Sequence, residues 1–130
     1  MASEGYHEPA ELLQDTTKDM HRALQSMVEE LQAITWYNQR IDASADAALQ
    51  AVLAHNRDEE KEHMVMLLEW VRRRDPIFDA QLHAYLFTEA PIETIEAALE
   101  KTEVGGEGNV QAAAGEAPTP ALTVGSLLGK

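Results

Sequence analysis

Residues 49–71 read LQAVLAHNRDEEKEHMVMLLEWV. Within them Leu49, Leu53, Asn56, Glu60, His63, Leu67 and Val71 recur at intervals of three or four, the period of one face of an α-helix. Glu60 and His63 interrupt an otherwise mostly apolar seam, and the Glu-x-x-His spacing sets both side chains on one face, a turn apart. A carboxylate buried without a partner costs several kcal/mol or shifts its pKa. The seam therefore needs a compensating group opposite Glu60.

A second periodic stretch supplies one. Leu13, Met20, Leu24, Met27, Leu31 and Ile34 mark one face of a helix expected from about Pro9 to Arg40. Pro9 suits its first turn, and Glu8, Glu11 and Asp15 suit the positive end of its dipole. Glu30 lies one turn from Met27 and from Ile34, so it points at the same interhelical space as Glu60 and His63. Residues 42–46, DASAD, offer helix-capping side chains and a short turn, which makes the two helices antiparallel neighbours. Arg72–Arg74 favour the negative end of the second helix, and Pro76 is read as its stop. A weaker third helix is expected over Pro91–Lys101, with Ile92, Ile95 and Leu99 as its stripe. No stretch reads as a strand and no internal repeat is present. The fold expected is all-α: an antiparallel two-helix hairpin plus a short C-terminal helix. A hairpin covers one face of each helix and leaves positions such as Val28, Val52 and Trp70 only partly covered. Pairing with a second copy into a four-helix bundle is the expected remedy.

Charge and composition narrow the function. Ten basic residues face 23 acidic ones, for a formal net charge of −13. That excess disfavours binding to nucleic acid or to an anionic membrane and suits cationic partners. The chain has no cysteine, which excludes disulfides, thiolate metal sites and cysteine nucleophiles. Met1–Glu8 lacks the basic and apolar segments of a signal peptide, so a cytoplasmic location is expected. Composition changes near Val104: six of the seven glycines lie beyond it, whereas all seven aromatics lie at or before Phe87. The expected organisation is a helical domain over 1–101, a flexible linker over 102–121, and an apolar terminal segment over 122–130.

A Glu three residues before a His arises easily in a run as acidic as 58–63. Its place on the seam, and not on the polar face, favours chemistry. Carboxylate-bridged two-metal sites in helical bundles take a Glu from each of two helices and a Glu-x-x-His from each of two others. One copy of this chain carries Glu30 and Glu60-x-x-His63, half of such a set, so two copies about a two-fold axis complete it. Mixed oxygen and nitrogen donors suit iron or manganese without excluding zinc. Two irons held together can deliver electrons jointly to oxygen or peroxide, and Tyr37 could tune them from beside the ligands. His55, Glu59 and Glu62 form a further cluster on a neighbouring face, where a solvated charged surface is the simpler reading. A non-catalytic helical adaptor and a binder of redox-inert metal remain alternatives.

At these residues the chain resembles the encapsulated ferritins of bacterial and archaeal nanocompartments. The likeness covers His7–Pro9, Val28–Arg40, Asp42–Ser44, His55–His63, Leu68–Arg73, Tyr85–Glu89 and Pro91–Ile92. It implies a ferritin-like four-helix unit made of two chains, with a di-iron ferroxidase site at its two-fold axis. Five such dimers would form a ring, a decamer, inside an encapsulin shell that holds the mineral. Glu30, Glu60 and His63 match the iron ligands, Tyr37 matches the adjacent tyrosine, and Glu29 matches an accessory acid on the approach. The usual acidic companion of Glu29 is here Gln32, which implies altered uptake kinetics and not lost activity. Residues 122–129, LTVGSLLG, resemble an encapsulin cargo-loading peptide, with Leu122, Val124, Leu127 and Leu128 as the docking side chains.

Overall fold

A computed structural model describes residues 5–104; the sequence from 105 onward, with Leu122, Val124, Leu127 and Leu128, lies outside the described residues. A 3-10 turn, Ala10–Leu12, precedes four helices: α1 (Asp15–Ala43), α2 (Ala47–Arg74), α3 (Pro76–Tyr85) and α4 (Ile92–Val104). No strand occurs among the described residues, and no helix there is long and apolar enough to cross a membrane. The described residues divide into two compact units, the first ending at Ile92 and the second beginning at Glu93.

The first helix starts six residues later than its apolar period suggests. Leu13 (φ −88°, ψ 137°) and Gln14 (φ −69°, ψ 152°) are extended, so the 3-10 turn is separate from α1. A straight helix would put Tyr6 and His21 roughly 22 Å apart. Instead their rings meet edge to face with centroids 5.0 Å apart, because the leading segment folds back along α1. Gly5 lies so close to the His21 ring that a Cβ there would fall 2.2 Å from Cε1, which only glycine avoids. Glu8 and Glu11 thus precede α1, and Asp15 alone is the acid in its first turn.

The turn between α1 and α2 follows from its polar side chains. Asp46 caps α2 by accepting from the Leu49 amide at 2.8 Å. Gln50 reaches back from α2 and donates to the carbonyls of Ile41, at 3.1 Å, and Ser44, satisfying acceptors that the end of α1 leaves free. Further along, Arg57 meets Asn38 and His63 meets Glu30, so α2 lies against α1 with its numbering running in the opposite sense.

Pro76 does not end the helical structure; it opens α3, an element absent from the sequence expectation. Asp75 closes α2 and also caps α3, its Oδ1 accepting from the amides of Ile77 and Phe78, both at 2.9 Å. Proline at the first helical position lacks an amide that would go unused there. Arg72 then ties the two helices, with Nη1 2.6 Å from Asp79 Oδ1 while Nε engages Glu69. The last helix begins at Ile92 and runs to Val104, slightly beyond the Lys101 expected.

The core is small. Among the described residues only Ala23 and Val71 are buried in the first unit, and only Ile95 in the second. Leu24 and Leu31, on the apolar face of α1, and Leu49, on that of α2, are more than a third exposed, as are Val28 and Val52 beside them. Replacing Asp75 with alanine removes both cap bonds at once. Thermal unfolding followed by circular dichroism should show a loss of about 1 kcal/mol, which Asp75→Asn largely restores.

Candidate metal centre

Midway along the α1–α2 contact, Glu30 from one helix and Glu60 and His63 from the other converge. Each offers one ligand atom, and all three atoms lie within 4.8 Å of one another. The imidazole Nδ1 stands 3.1 Å from Glu60 Oε2 and 3.9 Å from Glu30 Oε2. The two carboxylates are about three-quarters covered and the imidazole is half exposed, at 49%. The trio is therefore partly sheltered by its own helices yet open on one side.

Its electrostatics are those of a site short of positive charge. Glu30 is held above the ordinary carboxylate range, first by the hydrogen bond it shares with Glu60, then by partial burial and the negative charges of Glu60 and Glu29. Glu60 is held below that range by the hydrogen bond from Glu30 and then by the one with His63. The contact between the two carboxyl groups thus shifts them in opposite directions, Glu30 up and Glu60 down. His63 is raised above its ordinary 6.5, chiefly by its hydrogen bond to Glu60. A divalent cation there would offset the two carboxylate charges.

The donor set fits such an ion. Two carboxylates and an imidazole suit iron, manganese or zinc, and the chain has no cysteine thiolate to offer. Three protein donors fall short of a closed coordination shell, which leaves positions for water or for ligands from another chain. Among the described residues this is the three-donor cluster able to hold a metal ion.

The remaining candidates stand apart from the trio. Glu29 is exposed, and its charge reaches Glu30. His55 pairs with Glu59, Nε2 to Oε1 at 2.9 Å, with both side chains more than half exposed. Glu62 is likewise exposed. Tyr37 is half-buried on α1, seven residues beyond Glu30, and the Arg40 guanidinium carbon sits 5.6 Å from its ring centroid.

Arg57 was missed by the sequence reading. It occupies the seam one turn before Glu60, is only 25% exposed, and donates to Asn38 of α1 at 3.1 Å and to Asp58 at 3.0 Å. It locks the register that brings Glu30 opposite Glu60. Its spacing of four from Leu53 was the available signal, hidden by the surrounding run of charges.

Comparisons with known proteins show what the chain is similar to. The sequence profile of the EncFtn-like family matches residues 5–89. The "Encapsulated ferritin-like protein" of Rhodospirillum rubrum is 50% identical over 99% of this chain and 91% of its own length. A "Ferritin-like protein" of Thermotoga maritima is 48% identical over 78% of this chain and 87% of its own. The "Encapsulin nanocompartment cargo protein EncC" of Myxococcus xanthus is 36% identical, over 86% of this chain and 87% of its own. Among solved structures, protein ne0167 of Nitrosomonas europaea superposes with a TM-score of 0.67 at 61% identity, covering 68% of this chain and 98% of that one. With the profile spanning the helical region and a relative half identical along nearly its whole length, this chain belongs to the EncFtn-like family, the encapsulated ferritins.

Proposed function

We propose that the protein is a ferroxidase that oxidises Fe(II) to Fe(III) at a two-metal centre formed between two copies of the chain, as cargo of an encapsulin nanocompartment. The observation that carries this reading is the convergence of Glu30, Glu60 and His63 into one half of a helical-bundle di-iron set. The other half comes from a second hairpin packed on the open side of the trio. A first unit with two buried residues has a reason to make that contact, because Leu24, Val28, Leu31 and Val52 stay in water without it.

Iron is the substrate. Glu30 from each copy bridges, and Glu60 with His63 holds one ion per chain. The ligands give up any bound proton to the incoming ion, and the anionic carboxylates favour the ferric product. Each Fe(II) yields one electron, so two ions side by side pass a pair to dioxygen or peroxide. Tyr37 acts from beside the ligands, and Glu29 draws cations inward, with Gln32 weakening that approach. The names of the relatives from Rhodospirillum rubrum and Myxococcus xanthus support the encapsulated setting. A ring of five dimers is the assembly proposed, with Leu122, Val124, Leu127 and Leu128 docking on the shell wall.

Glu60→Ala and His63→Ala should each reduce Fe(II) oxidation, followed by absorbance of the ferric product, to the protein-free rate while helicity stays unchanged. Oxidation at the parental rate would leave the acidic seam with only a packing role. The imidazole must be neutral to bind a cation, so iron binding is full above the raised His63 pKa and weakens as pH falls through it. In metal-free protein, Glu60→Gln should bring the His63 midpoint down toward 6.5 in histidine ring-proton NMR; an unmoved midpoint assigns the shift to another group. Deleting residues 122–130 should abolish co-purification with the shell protein and leave oxidation in solution intact.

A further inference from the structure

In a chain this acidic, two arginines rest on rings instead of acids: Arg74 on Trp70, 4.0 Å from its centroid, and Arg40 on Tyr37. Arg22, Arg57, Arg72 and Arg73 each engage an aspartate or glutamate. Among the described residues the guanidinium of Arg40 has instead the face of Tyr37, with its central carbon 5.6 Å from the ring centroid. That distance is within the range in which a cation is attracted to an aromatic face. The contact joins consecutive turns of α1, since the residues are three apart. Arg40 also lies in the last turn of α1, where the negative end of the helix holds a cation in place. Tyr37 itself is two turns from Glu30, on the same side of the helix.

We infer that Arg40 is a positioning residue for Tyr37 in iron oxidation, an assignment that rests on the ferroxidase reading above. The guanidinium over one face restricts ring rotation, so the phenol keeps one orientation on the side of α1 that carries Glu30. It also withdraws electron density from the ring, which makes the hydroxyl a stronger hydrogen-bond donor. Both effects act on the oxidation step after iron is bound, because Glu30, Glu60 and His63 do not touch Arg40. A contact of this kind, at a partly exposed position, corresponds to about a two- to fivefold change in rate.

A double-mutant cycle on the full-length protein tests the assignment, with stopped-flow oxidation of Fe(II) in air as the readout. Arg40→Gln should lower kcat about two- to fivefold with KM for Fe(II) and bound-iron stoichiometry unchanged. Arg40→Lys, which keeps a cation over the ring, should retain most of the rate. In a Tyr37→Phe background, which keeps all three ligands, Arg40→Gln should have no further effect. Equal slowing in both backgrounds, a change confined to KM, or no slowing at all overturns the role of Arg40. A wild-type protein that leaves Fe(II) unoxidised removes the ferroxidase reading and this inference together, whereas an active wild type with an additive cycle removes only the inference.

Discussion

Two carboxyl groups from different helices, Glu30 on α1 and Glu60 on α2, are brought close enough to share a hydrogen bond, with His63 against them on the same face. That contact holds Glu30 above the ordinary carboxylate range, and the pair leans on an imidazole held above its own ordinary pKa. Such an arrangement sacrifices packing at the middle of the helix contact. It persists because the helices are pinned on either side of it. Gln50 fastens α2 to the end of α1, and Arg57 bridges to Asn38. With those ties in place the register is set, and the acids remain opposed until a cation arrives.

The thinness of the core has the same origin. A helix pair of this length with Ala23 and Val71 as its buried residues cannot be stabilised by its own interior. Its exposed apolar side chains leave surface for a neighbour, and a trio of donors leaves positions for further ligands. In the proposed assembly a single contact meets both needs, and burial of apolar area helps to offset the repulsion between carboxylates brought together from two chains. α3 belongs to a separate arrangement at the far end of α2. There Asp75 caps it and Arg72 holds it through Asp79, well away from the acids.

Much of the first unit could be read from residue spacing, and the exceptions are instructive. Period located both long helices, and the polar run 42–46 marked the capping turn, because each depends on side chains within a turn or two of one another. It failed where neighbouring sequence competes. Leu13 matches the helical stripe of α1, yet a backbone folded back to stack Tyr6 on His21 holds it extended. Pro76 does end α2, as expected, and the cap bonds from Asp75 make it also the start of α3, which period did not show. Arg57 looked like one more charge in an acidic run; only its bridge to α1 sets it apart.

By itself, the order of amino acids determined that this chain is helical, that it is acidic, and that each copy carries one lone Glu and one Glu-x-x-His on facing seams. Those features are local, fixed by 3.6-residue periodicity and by side-chain chemistry. Tertiary structure alone decided that Glu30 meets Glu60 and His63 within 4.8 Å, that the two acids are shifted in opposite directions, and that Arg40 rests over Tyr37. The first two depend on the relative register of two helices. A shift by a single turn, about 5.4 Å, would preserve every sequence pattern while separating the ligands beyond reach of one ion.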